Sequence, residues 1–365
     1  VNSAKVWLER IHSLKLHHKI KILNVCGGHE RTITMSGLRA VLPQNIELIP
    51  GPGCPVCVCP EEDVFTAIHL ALNENLILTT FGDMLRVPIN APRHAIRSLE
   101  AARAQGADVR ALATPQAALK LALQQPQRQV VLFAVGFETT MAPIAALLLQ
   151  GVPDNLKVLV SGRLTWPAVA MLLAADASGF DALIAPGHVA TVMGAQEWEF
   201  VVTQHRKATA IAGFTPDSLL AAVYSVTRQI HTQRYFLDNC YPASVRPDGN
   251  STAKRLLNQA FVVTDANWRG IGKIAKSGFS LASGLHNLDV NQVYPQYAVA
   301  SATRNHGGQM PPGCDCAQVL LGKIYPNQCR LFNTACQPRH PVGPCMVSEE
   351  GACRIWWSGG FKTDV

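Results

Sequence analysis

The stretch QVVLFAVGFETTMAPIAALLLQG, Gln129–Gly151, contains an apolar run, a short polar turn and a second apolar run. The first run, QVVLFAVGFE (129–138), is continuous rather than alternating, which predicts a strand buried on both faces. The second, TTMAPIAALLLQG, has the length and composition of a helix packed against it. A doubly buried strand followed by a helix is the unit of a parallel sheet, because parallel neighbours need a crossover connection. The same order recurs on either side. KIKILNVC (19–26), IELIPG (46–51), NLILTTFGD (75–83) and ADVRAL (107–112) precede it, and LKVLVSG (156–162), FDALIAPGH (180–188) and ATAIAGF (208–214) follow. Helical patterns such as EEDVFTAIHLALNE, TPQAALKLALQQ and TPDSLLAAVYSVTRQIHTQ separate them. The fold class is therefore α/β.

The break at QQPQRQ (124–129) suggests two α/β units, 1–126 and 127–300. From about Asn239 the rhythm fails, and TDANWRGIGKIAKSGFSL reads as irregular strands. Residues 301–365 are rich in Gly, Pro and Cys and have too few apolar residues for an independent core, so a metal centre is the natural staple there. A late segment of this region could pack back onto the first unit.

With 365 residues, 48% of them apolar, the chain can build sizeable cores. No apolar stretch approaches the roughly 18 residues of a membrane span. The start, VNSAKVWLERIHSLKLHHK, is amphipathic and lacks the apolar core of a secretory signal, so a cytoplasmic protein is expected. The formal charge of +7 is spread along the chain without a basic block and interleaved aromatics, which argues against nucleic acid as a partner.

Ligands collect beyond the carboxyl ends of parallel strands. On the strands above, that rim carries Cys26, the loop GPGCPVC, Asp83, Glu138 and His188. In CGGHE (26–30) the glycines permit close backbone approach, and His29 and Glu30 would begin a helix whose N–H groups favour anions and a low thiol pKa. Cys26 either closes a buried strand or serves as a ligand or nucleophile. Cys54 and Cys57 form a C-x-x-C in a loop stiffened by Gly and Pro, the spacing of dithiol redox sites and of metal knuckles. No second C-x-x-C completes a zinc site, so a redox pair or transient metal binding is the stronger reading. Cys59 adds a third thiol, which alternation on an extended segment would turn away. Glu138 in GFETT can be an acid at the site or a helix N-terminal carboxylate and nothing more.

Eleven clustered cysteines in a chain expected in the reducing cytoplasm point to metal or redox chemistry before disulfides. Six of them fall between Cys314 and Cys353. Thiolate-only sets select iron–sulfur centres or zinc. The spacing is not that of bacterial ferredoxins and leaves open which four of the six are ligands. Alternation disfavours using Cys314 and Cys316 together.

In this order CGGHE, GPGCPVC, TFGDMLRVP, GFETT, APGH and the cysteine-rich tail resemble the HypD family of hydrogenase maturation factors, from about Ile20 to Trp357. The resemblance implies two Rossmann-like domains facing a cleft and a C-terminal [4Fe–4S] region. It also implies a scaffold for maturation of [NiFe] hydrogenase, rather than a conventional turnover enzyme. On it an Fe(CN)2CO unit is assembled with a small HypC-type chaperone, a HypE-type protein donates cyanide, and the hydrogenase large subunit receives the product through the small chaperone. Carried over by motif, Cys26 is the iron ligand with His29 beside it. Cys54 and Cys57 are the redox pair near the metal, and with His29 and Glu138 they make up the candidate catalytic residues. Cys316, Cys329, Cys336 and Cys353 hold the cluster, leaving Cys314 and Cys345 as extra thiols. Ala317, Asn333 and Ala190 depart from the family pattern, and Cys59 is not required by it. None of these departures removes a proposed ligand.

Two other readings compete. A cluster-dependent protein disulfide reductase would act through Cys54 and Cys57 without needing Cys26. A zinc-stapled binding module would be colourless.

Overall fold

The structure, a computed structural model, describes residues 3–92, 94–174, 179–302 and 310–361. Residues 303–309 and 362–365 of the expected C-terminal region lie outside the described residues. Eleven strands are present among them: β1 (Ile20–Asn24), β2 (Ile46–Pro50), β3 (Leu76–Phe81), β4 (Val109–Leu112), β5 (Gln129–Gly136), β6 (Leu156–Gly162), β7 (Ala182–Pro186), β8 (Ala208–Ala212), β9 (Leu237–Asn239), β10 (Phe261–Trp268) and β11 (Gly272–Leu281). They form one parallel sheet of order β2-β1-β7-β8-β9 and a second of order β4-β3-β5-β6. The expected α/β class with two parallel sheets is what the chain adopts.

The sheets do not follow the division at residues 126 and 127. That border falls between β4 and β5, yet β3 pairs with both, Leu78 opposite Val109 and Val131. The chain leaves the first sheet after β2, builds the second from β3 to β6, and returns with β7, which pairs with β1 through Leu23 and Leu183. The reason is physical. The inner strands of both sheets are doubly buried and flanked by helices, so hydrophobic pattern alone carries no signal of which strand pairs with which.

β5 lies inside its sheet, and Val130 to Gly136 are all buried. Each large apolar side chain removed from water there contributes on the order of 1.5–3 kcal/mol. The helix Glu138–Leu149 covers it, with Met141, Ile144 and Leu148 turned inward. The segment expected as irregular strands is an antiparallel hairpin of β10 and β11, with a register shift between Thr264 and Ala266. Its Trp268 is fully buried and donates from Nε1 to Ser277 Oγ at 2.9 Å. The N-terminal helix Ser3–Ser13 packs on the helix Pro216–Thr232, with Trp7 and Tyr224 rings 5.5 Å apart. None of the described helices is long and apolar enough to cross a membrane.

The C-terminal region does pack back on the first sheet. Trp356 stacks on Tyr325 at 5.3 Å, lies under the Arg39 guanidinium at 4.9 Å, and donates from Nε1 to Glu30 Oε1 at 2.6 Å. Glu30 also accepts from Arg39 Nη2 at 2.8 and 2.9 Å. The glutamate of CGGHE is thus the anchor of the tail.

Candidate functional site

Cys26 caps the helix Gly27–Met35, which starts earlier than its apolar pattern suggests because the two glycines take part in its first turn. No N–H of the first turn makes a capping hydrogen bond to the Cys26 side chain, but the amides of His29 and Gly28 lie close enough to favour the thiolate. Gly27 N donates to Gly53 O at 3.1 Å, and a Cβ on Gly53 would fall onto the backbone of Val25 and Cys26. Only glycine allows this approach, and it sets the next residue, Cys54, beside the Cys26 turn. The expected low thiol pKa is not found. Burial pushes the Cys26 thiol up to about 12, outweighing the two amides, and the nearby Glu350 adds to the rise.

His29 is fully buried, its Nε2–H donating to Ala212 O at 2.9 Å and its Nδ1 lying 3.1 Å from the Asn24 side-chain amide. Burial pushes its pKa down to about 4, so the ring is neutral. Both nitrogens are engaged by the ends of β1 and β8, and the ring acts as a buried prop under the turn. On the same rim Phe214 stacks against His188 at 3.7 Å, tilts against His29 at 4.9 Å and meets Tyr241 edge-on at 6.3 Å.

Cys54 and Cys57 are joined as a disulfide with Cα atoms 5.3 Å apart, across the short helix Pro55–Val58. Both are buried, at 2% and 0% exposure. That helix packs against β5 and against the turn Pro344–Met346, so it lies between the second sheet and the cysteine-rich tail. Cys59 faces elsewhere, with Sγ 3.4 Å from Ser161 Oγ on β6.

The two rims are bridged by a loop that sequence reasoning missed. Asp83, after β3, accepts from Ser348 Oγ at 2.9 Å and from Glu349 N at 3.3 Å. The following Glu350 lies against Gly27, where an added Cβ would come within 2.6 Å of the Glu350 Cβ. The available signal was the acidic SEEG between Cys345 and Cys353, unusual in a Gly/Pro/Cys-rich tail. Glu138 stands apart from this group, on the rim of the second sheet. It accepts from Thr165 N at 2.7 Å and from Thr165 Oγ1 at 2.6 Å, and burial raises its pKa to about 7.

In the tail the sulfurs of Cys316, Cys345 and Cys353 all lie within 4.8 Å of one another, and all three residues are buried. Cys314 Sγ is 3.2 Å from Cys316 Sγ, and Val342 N donates to Cys336 Sγ at 3.3 Å. The alternation argument against Cys314 with Cys316 fails because the segment is not extended: Asp315 has φ −98° and ψ 20°, and Cys316 opens a helix. Cys345, set aside by the motif comparison, sits between Cys316 and Cys353. Thiol donors from both hold its pKa down, to about 6, while Cys336 is pushed up to about 11 by burial. A buried set of convergent soft sulfurs fits an iron–sulfur centre or zinc.

Comparison with known proteins gives a consistent result. Residues 2–360 match the HypD family profile, described as the hydrogenase formation hypA family. Among curated proteins the chain is similar to hydrogenase maturation factor HypD of Azotobacter vinelandii, at 38% identity over 93% of this chain and 89% of that one. It is 37% identical to HypD of Escherichia coli K12, over 93% and 88%, and 34% identical to HypD of Cupriavidus necator, over 95% and 91%.

Proposed function

The chain belongs to the HypD family of hydrogenase maturation factors, and from that premise we propose that it is the cytoplasmic scaffold on which an Fe(CN)2CO unit is assembled for [NiFe] hydrogenase, with Cys26 as the protein ligand to the iron. The observation that carries this reading is the approach of Gly53 to the Cys26 turn, which puts one thiol and one dithiol pair on adjacent residues of two strand ends.

The iron is the cargo. Cys26 is protonated at neutral pH, so binding a ferrous ion exchanges a proton for the metal, and Glu350 favours a cation in the proton's place. The amides of Gly28 and His29 then steady the thiolate, and the helix N-terminus suits an anionic metal unit. Reduction of Cys54–Cys57 takes two electrons and two protons and supplies two further thiols beside this position. His29, with both nitrogens engaged, orients the turn rather than transferring protons. Glu138 serves the rim of the second sheet through Thr165.

The resident cofactor is a [4Fe–4S] cluster held by Cys316, Cys345 and Cys353 with a fourth thiolate from Cys314, Cys329 or Cys336. This departs from the motif-based set of Cys316, Cys329, Cys336 and Cys353 because the Cys345 sulfur converges with two of its members. Such a cluster supplies one-electron chemistry. A HypC-type chaperone brings or shares the iron, and a HypE-type protein provides cyanide. A disulfide reductase acting on external proteins is disfavoured by the burial of both sulfurs, since thiol–disulfide exchange needs access.

The test is anaerobic purification with the small chaperone followed by infrared spectroscopy. Bands of metal-bound cyanide and carbon monoxide are expected, and Cys26→Ala should lose them while the iron–sulfur absorption persists. Bands of full strength in Cys26→Ala would refute the assignment.

A further inference from the structure

Arg269 follows β10 in the turn of the hairpin and is fully buried, at 0% exposure. Its N–H donates to Val58 O at 3.0 Å, the last residue of the disulfide helix, and its Nη2 donates to Pro88 O at 2.6 Å. Nε and Nη1 have no partner among the described residues. The next residue, Gly270, has φ +76°, and a Cβ there would fall 2.7 Å from the Cβ of Ala317, the neighbour of Cys316. The backbone at Arg269 and Gly270 is therefore held between the disulfide helix and the cysteine group, and the guanidinium, tied to Pro88, acts by its charge on both Cys59 and Cys314.

A buried guanidinium with two unpaired N–H directions is costly unless an anion faces it. A four-thiolate iron–sulfur centre is anionic and becomes more so on reduction. Among the described cationic residues, Arg269 alone is fully buried and also bonded through its backbone N–H to the disulfide helix.

We infer that Arg269 is the fixed counter-cation of the sulfur centre, a positioning residue that favours its reduced form and ties it to the Cys54–Cys57 helix. This rests on the reading of the tail cysteines as a resident iron–sulfur site. Arginine suits the task because it stays charged when buried, and because its planar fork can serve Pro88 with one edge and an anion with the other.

The test is an anaerobic redox titration of the full-length protein, with dithionite as reductant and electron paramagnetic resonance as readout. It compares wild type, Arg269→Lys and Arg269→Met. Removing a buried unit charge should shift the ratio of reduced to oxidised centre about tenfold towards oxidised at a given potential. That is a midpoint about 59 mV lower for one electron. Arg269→Lys, which keeps the charge, should stay near wild type. If Arg269→Met loses the centre while Arg269→Lys retains it at the wild-type potential, charge is again the cause. A wild-type potential in Arg269→Met, an equal potential in the two variants, or loss of the centre from both overturns the inference. A wild-type protein without any iron–sulfur signal refutes the cofactor reading itself, and the inference with it.

Discussion

Removing the Glu30 carboxylate should release the cysteine-rich tail from the first sheet. Glu30 is 2% exposed and receives three short contacts from two donor atoms: Arg39 Nη2 at 2.8 and 2.9 Å to its two oxygens, and Trp356 Nε1 at 2.6 Å. Losing one member of a buried ion pair costs about 3–5 kcal/mol, and a stranded indole N–H about 1–3 kcal/mol more. The total must be discounted. Arg39 is 17% exposed and keeps its bonds to Leu48 O at 3.2 and 3.0 Å, so its charge is not stranded. A loss of about 3 kcal/mol for Glu30→Ala is the working value. It should be concentrated in the helix Ala352–Ser358, which carries Cys353 and Trp356. Hydrogen exchange measured by mass spectrometry reads that local opening directly. At about 1.4 kcal/mol per factor of ten, amides of this helix should exchange roughly 100-fold faster or more, while β5 exchanges as before. Glu30→Gln keeps an acceptor for Trp356 and should lie between the two. Exchange in Ala352–Ser358 within about threefold of wild type in Glu30→Ala would show that the tail is held by other contacts.

Two further outcomes follow from the geometry. Cys345→Ser should lower the iron and acid-labile sulfide of anaerobically prepared protein by more than half, as Cys316→Ser does, because its sulfur converges with those of Cys316 and Cys353; unchanged content in Cys345→Ser would restore the motif-based ligand set. Glu138 has a folded pKa of about 7, raised by burial, so between pH 4.5 and 7 the native state holds a proton that the unfolded chain releases. Stability therefore falls as pH rises through this window, and it falls further where Glu197, pushed to about 8 by burial and by Glu138, gives up its own proton. Glu138→Gln mimics the protonated form against Thr165, so chemical denaturation should find it equal to wild type near pH 5 and more stable at pH 8. A constant difference across that range would refute the assignment.

The sequence by itself determined the element types, the rim and its reactive residues. Continuous apolar runs such as 129–136 can be satisfied only by strands covered on both faces. Glycines at 27 and 53 mark places where backbone approaches backbone, and Gly28 a place where the Phe214 ring does. Six thiols in a segment poor in apolar residues call for a metal. These are local signals, carried by composition and spacing within a few residues. What only the tertiary structure decided is which distant segments meet. It paired β1 with β7 and sent β3 to β6 into a separate sheet, because doubly buried strands are interchangeable in pattern. It turned Glu30 from a residue that merely opens a helix into the anchor of Trp356, and it brought Ser348 to Asp83 and Glu350 to Gly27. It raised the Cys26 thiol where a helix N-terminus alone would lower it, because desolvation depends on everything packed around a group and not on its neighbours in the chain. It also set Cys345 between Cys316 and Cys353, since ligand convergence is fixed by the fold of the loop rather than by the count of residues between thiols.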